Sequence, residues 1–140
     1  MKRRRRTEIL IQGNEQLAQK FAQAIIAKYE CREITAPQYG MTMIKMRESA
    51  KNSLFYIGEV LITEAKVEIG GRIGIGIVAG MKEDLARNLA IVEAAYKADL
   101  PETAGWEQPL LEMEKEIAEA KAREQAELFE TKVNFETMEV

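Results

Sequence analysis

The sequence predicts an α+β fold, an antiparallel β-sheet flanked by N-terminal helices and two C-terminal helices, with an extended C-terminal tail. Two observations carry this. Apolar residues recur at helical spacing over residues 14–28 and 82–98, whereas residues 59–69 and 73–79 alternate with a period of two around Gly70-Gly71. The order is helices, strands, then helices, rather than repeated strand–helix units, so the strands belong to one antiparallel block.

The elements follow in order. A short helical turn is predicted over residues 5–11, ending at Gly13. Asn14 reads as the cap of a second helix, with Glu15 in its first turn. Leu17, Phe21 and Ile25 mark the apolar stripe of that helix, which is expected to run to about residue 28. Residues 30–35 suit a short strand closed by Pro37 and Gly40, and residues 41–47 a second one, followed by a polar loop over residues 48–53. Leu54 leads into a long strand at residues 59–69, with Leu61, Thr63, Ala65, Val67 and Ile69 on one face and Glu64, Lys66 and Glu68 on the other. A three-residue loop, Gly70-Gly71-Arg72, would pair Ile69 with Ile73, Val67 with Ile75 and Ala65 with Ile77. It is preferred to a two-residue turn because it collects the apolar residues on one face. Gly74 and Gly76 would then lie beside the charged residues and permit close approach of a backbone or ligand. Leu85, Leu89, Val92 and Tyr96 define the helix at residues 82–98, stopped by Leu100-Pro101. Pro109 suits the start of a long last helix marked by Leu110, Met113, Ile117, Ala120 and Leu128. That stripe is narrow and suits a partner better than deep burial.

With 140 residues, one domain over 1–140 is expected. Residues 1–6 would form a disordered basic arm and residues 132–140 the extended tail. The chain has one cysteine, Cys31, and no histidine. The first excludes a disulfide and an iron–sulfur cluster held by this chain alone. The second removes the commonest general base and zinc ligand. No catalytic or metal-binding residue is assigned, and no cofactor is expected in this chain. No apolar run of about 18 residues occurs and Thr7-Glu8 interrupts anything resembling a signal peptide, so no membrane role and a cytoplasmic location are expected. Residues 1–50 hold ten Lys/Arg and five Asp/Glu, a balance of +5; the remainder holds ten and eighteen, a balance of −8. The basic run at residues 2–6 could contact nucleic acid, but no basic face elsewhere extends it, and a solvated terminus is the simpler reading.

Gly74-Ile-Gly76-Ile-Val-Ala-Gly80 has one residue too many between its second and third glycines for a dinucleotide loop, and no Gly-Lys-Ser/Thr follows. Arg47, Arg72 and Lys82 are the cations placed at strand ends or a helix start, where they could hold phosphate or phosphonate oxygens. Met41, Met43 and Met46 read as core filling. Trp106 and Phe135, in two non-periodic segments, are candidate partner anchors, and each could equally cap the local core.

Several segments resemble the G-type subunit (PhnG) family of carbon–phosphorus lyase. They are Pro37-Gln-Tyr-Gly-Met41 with Met43 and Arg47, Phe55-Tyr-Ile-Gly-Glu-Val60 with Thr63, Ala65 and Val67, and Gly74 with residues 80–94. The ending Thr131-Lys-Val-Asn-Phe-Glu-Thr-Met138 is similar to the family's Thr-Arg-Val-Asp-Phe-Phe-Thr-Met tail, which marks Val133, Asn134, Phe135, Thr137 and Met138 as interface candidates. The family's Gly-Arg-Asp, followed by histidine, stands here as Gly80-Met81-Lys82 without one. The resemblance implies assembly with the H-, I- and J-type subunits and an L-type ATP-binding-cassette protein. It further implies that ATP is a substrate of the complex, giving up adenine to an alkylphosphonate. The iron–sulfur cluster and S-adenosylmethionine of the later radical step would sit on the J-type partner.

Overall fold

The computed structural model describes residues 1–47 and 54–138, with side chains described for residues 1–43 and 58–130. The elements are α1 (Arg3–Gln12), α2 (Glu15–Ile26), β1 (Arg32–Arg47), β2 (Leu54–Ile69), β3 (Arg72–Ala79), α3 (Glu83–Lys97), a 3-10 turn (Pro101–Trp106) and α4 (Glu107–Met138). The strands form one antiparallel sheet in the order β1-β2-β3, so the fold is α+β as expected.

The predicted basic arm is helical from Arg3 onward. It orders because Arg6 is buried: its guanidinium donates to Glu93 of α3 at 3.1 Å and lies 3.7 Å from the centre of the Tyr96 ring. Asn14 caps α2 as read, its side-chain oxygen accepting from the Gln16 N–H at 2.9 Å. The two short strands expected before residue 48 are one strand. Register shifts between Glu33 and Thr35 and between Thr35 and Gln38 absorb Pro37, and β1 lies at the sheet edge, where a missing N–H is tolerated. The expected loop at residues 48–53 lies outside the described residues.

The hairpin between β2 and β3 overturns the preferred register. Ile69 pairs with Arg72, Val67 with Gly74 and Ala65 with Gly76, across a two-residue Gly70–Gly71 turn. Both turn glycines have positive φ, 57° and 80°, the type I′ geometry that suits the twist of a hairpin. The buried face therefore carries Thr63, Ala65, Val67 and Ile69 with Gly74, Gly76 and Val78. Ile73 and Ile77, 43% and 48% exposed, lie on the open face beside Glu64, Lys66 and Glu68.

Packing explains why this register prevails. Helix α3 crosses β2 and β3 on the buried face, and it presents a row of alanines, Ala86, Ala90 and Ala94, to the two glycines. A Cβ on Gly74 would stand 2.1 Å from the Ala90 carbonyl oxygen, and one on Gly76 would stand 2.0 Å from that of Ala86. Isoleucine on that face would separate helix from sheet. Leu85, Leu89 and Val92 of α3 are buried as expected, and Phe21, Ala22 and Ile25 of α2 complete the core.

Helix α4 begins at Glu107, two residues before Pro109, and continues through Met138. The expected extended tail is thus the end of a helix of 32 residues, about 48 Å long at 1.5 Å per residue. The apolar spacing fades after Leu128, yet the backbone stays helical to Met138.

Candidate assembly surfaces

The three candidate anion-binding cations do not converge. Arg47 pairs with Leu54, Arg72 pairs with Ile69, and β3 ends with Ala79 opposite Ile62, just before Lys82. At about 3.3 Å per residue along β2, these places are spaced by roughly 26 Å and roughly 23 Å. Lys82 is also engaged: its Nζ lies 3.1 Å from Glu15, tying the start of α3 to the start of α2. Thr63, fully buried, shapes that junction. Its hydroxyl donates to the Gly80 carbonyl at 2.5 Å and accepts from the Lys82 N–H at 3.0 Å. With Glu83 and Asp84 in the first turn of α3, the charge there opposes an anion. Among the described residues, no group of three or more His, Cys, Asp or Glu could hold a metal ion.

Trp106 lies inside the chain rather than at its surface. Only 6% exposed, it stacks on Phe21 with ring centres 4.5 Å apart and meets the edge of Tyr96 at 5.6 Å. In this fold it is a core residue, and neither ring face is left for a partner. Val133, Asn134, Phe135, Thr137 and Met138 fall in the last turns of α4, where side chains are outside the described residues.

Among the described residues, three patches of exposed apolar side chains lie elsewhere. The first is the paired ribbon of β1 and β2. Met41 and Met43, expected in the core, are 58% and 52% exposed there, beside Tyr39. Tyr39 anchors the base of the ribbon by donating to Glu83 at 2.5 Å, and Arg87 holds Glu33 at 3.2 Å. Methionines on such a ribbon offer an adaptable contact surface. The second is α4. Leu110 is buried and Met113 and Ile117 are partly so, but Leu128 and Phe129 stand exposed. The third is the open sheet face with Ile73 and Ile77. The signal for this last surface was present in the sequence. Alanines four apart in α3 match glycines two apart in β3, which assigns the glycines, not the isoleucines, to the helix.

Arg5 and Glu114 fasten α4 to α1. The guanidinium donates from Nε at 2.8 Å and from Nη2 at 2.6 Å, and those hydrogen bonds hold the Glu114 carboxyl below the usual carboxylate range. A depressed folded-state pKa contributes stability above the ordinary carboxylate value. That contribution is lost as pH falls through the depressed value. Titration of the Glu114 carboxyl carbon by NMR should show an acid-shifted midpoint in the wild type and an ordinary one in Arg5→Ala. Equal midpoints would show that the contact does not persist in solution.

No curated protein gives a match. Among the described residues no helix is long and apolar enough to cross a membrane. The family model for phosphonate metabolism protein PhnG matches residues 1–139, and the chain therefore belongs to that family, with a role in phosphonate metabolism.

Proposed function

We propose that this chain is a non-autonomous subunit of the carbon–phosphorus lyase core complex, assembling with H-, I- and J-type subunits and an L-type ATP-binding-cassette protein. The observation that carries the reading is the exposed apolar surface at Met41 and Met43 on the β1–β2 ribbon and at Leu128 and Phe129 on α4. An isolated domain gains nothing from a long helix with Leu128 and Phe129 in water.

The assembly performs a substitution at the anomeric carbon of ATP's ribose. A phosphonate oxygen forms the new C–O bond, the C–N bond to adenine breaks, and adenine leaves with a proton. The product is a ribose 1-alkylphosphonate 5-triphosphate, the 1-methyl compound for methylphosphonate. Cations are needed for the triphosphate and phosphonate, and an acid for adenine. Arg47, Arg72 and Lys82, far apart in this chain, would act there only singly, each beside groups of another subunit. The iron–sulfur cluster and S-adenosylmethionine belong to the J-type partner, and the work takes place in the cytoplasm. A nucleic-acid role through residues 2–6 is disfavoured, because Arg3, Arg5 and Arg6 are engaged by Glu93 and Glu114.

The test is native mass spectrometry of the chain purified from its own phosphate-starved host. Recovery in fixed ratio with the H-, I- and J-type subunits is expected. A monomer or homodimer, with those subunits present in the lysate, overturns the proposal. In the same experiment the double substitution Leu128→Asp, Phe129→Asp should sharply reduce partner recovery. Both side chains are exposed, so the isolated chain should lose no more than about 1 kcal/mol of stability over the two substitutions.

A further inference from the structure

The outer edge of β3 has the geometry of an incomplete sheet. A two-residue turn makes Ile69 and Arg72 a hydrogen-bonded pair, and the pairs then alternate along the ladder. Gly74 and Gly76 thus bond to β2, whereas Ile73, Ile75 and Ile77 direct their backbone N–H and C=O away from it. Both ends of the strand keep this phase. The Gly80 N–H donates to the Leu61 carbonyl at 2.8 Å, and the outward carbonyl of Ile73 accepts from Lys97 Nζ at 2.8 Å.

Free edges in folded proteins are normally blunted by proline, lysine or a bulge. Between Ile73 and Ala79, β3 has no proline and no charged residue, and its register with β2 is unbroken. Its edge residues are isoleucines on the open face, Ile73 and Ile77 exposed and Ile75 half-buried. A cleft of about 300 Å³ runs beside this edge, between Ile75 and Ile77 on one side and Arg3, Arg4 and Thr7 of α1 on the other, with Leu89 on its floor. Arg3 and Arg4 line it together with Glu8 and Glu93. Arg4 is matched by Glu8, but Glu93 alone serves both Arg3 and Arg6.

We propose that an extended segment of another subunit adds to β3 as a fourth strand in this cleft. Its backbone pairs with the outward N–H and C=O of Ile75 and Ile77, and an acidic side chain meets Arg3. The inference rests on the assembly reading above. A second copy of this chain is a poor occupant, because two-fold edge pairing would press the two α1 walls, each carrying Arg3 and Arg4, against one another.

Residue-resolved hydrogen exchange, on the isolated full chain and on the purified assembly, tests this directly. In the isolated chain the amides of Ile75 and Ile77 should exchange rapidly while those of Gly74 and Gly76 stay protected. In the assembly Ile75 and Ile77 should slow by at least about tenfold. Two variants separate backbone pairing from side-chain contact. Ile75→Pro deletes only an outward N–H, which an edge strand tolerates, and should abolish partner recovery while circular dichroism remains native. Ile75→Thr keeps the N–H and should retain the partners. An assembly whose Ile75 and Ile77 amides exchange as in the free chain overturns the added strand and leaves the assembly reading standing. A chain recovered alone, with both amides open, overturns both. Protection of these amides in a self-associated chain identifies a second copy as occupant and overturns this proposal.

Discussion

Gly76→Ala is expected to destabilise the chain by about 3 kcal/mol or more, lowering the melting temperature by on the order of 10 °C. The added Cβ would stand 2.0 Å from the Ala86 carbonyl oxygen and 2.7 Å from the Ala90 nitrogen. Both are backbone atoms of α3, so no side chain can rotate away. Relief requires the helix to lift from the sheet, which opens the contacts of Leu85, Leu89 and Val92 as well. Gly74→Ala meets the same obstacle at Ala90 and Ala94 and should behave alike. Gly105→Ala is the control. Nothing lies within 4 Å of its Cβ position, and its backbone is outside the left-handed region, so its effect should stay within about 0.5 kcal/mol. Urea melts of the three variants decide the matter. A Gly76→Ala protein as stable as Gly105→Ala would mean that helix and sheet are not in backbone contact.

The same glycines show what the sequence can and cannot express. That Gly74 and Gly76 admit a close neighbour was legible from residue type alone. Which face they occupy was legible only by setting them against the alanines of α3, because a hairpin judged by strand alternation takes no account of what packs above it. Isoleucine is the more apolar residue and the natural choice for a core face. Here the core face is set by the alanine row of α3, which needs vanishing side chains opposite, and the isoleucines go outward. The helices α2 and α3 were readable because each packs a continuous apolar stripe on the chain's own core. Helix α4 was readable only to Leu128, since beyond it the apolar residues lose the helical period although the backbone remains helical. Trp106 was left between partner anchor and core for a related reason. Its segment has no period, but a 3-10 turn delivers it onto Phe21. The exposed methionines of the ribbon carried no signal separating them from core methionines, since alternation looks the same on a buried or an open face.

The second large effect is expected at Glu93, where the basic N-terminus enters the fold. Glu93 and Arg6 side chains are each only 8% exposed, and a single carboxylate oxygen accepts from Arg6 Nη2 at 3.1 Å and lies 3.2 Å from Arg3 Nε in an ion pair. The Arg6 guanidinium is otherwise placed over the Tyr96 ring and within 3.4 Å of the Met1 carbonyl, and its Nε is buried with no hydrogen-bond partner. Glu93→Ala removes the carboxylate that pairs with this buried cation. The loss should be about 3–5 kcal/mol, relieved only if α1 swings out and carries Arg6 into water. Which of the two occurs is measurable, because release of α1 exposes Ile9 and Leu10 and should make residues 1–12 sensitive to limited proteolysis. The double variant Arg6→Met, Glu93→Leu supplies the opposing case. It removes both charges and keeps apolar volume, so it should be near the wild type in stability or above it. The two single changes would then sum to far more than the double change, a coupling that a double-mutant cycle reads directly. Near-additive losses, or a Glu93→Ala chain with wild-type stability and an intact α1, would show that the pair does not hold the N-terminal helix. The basic run would then be free to serve a partner's anions instead.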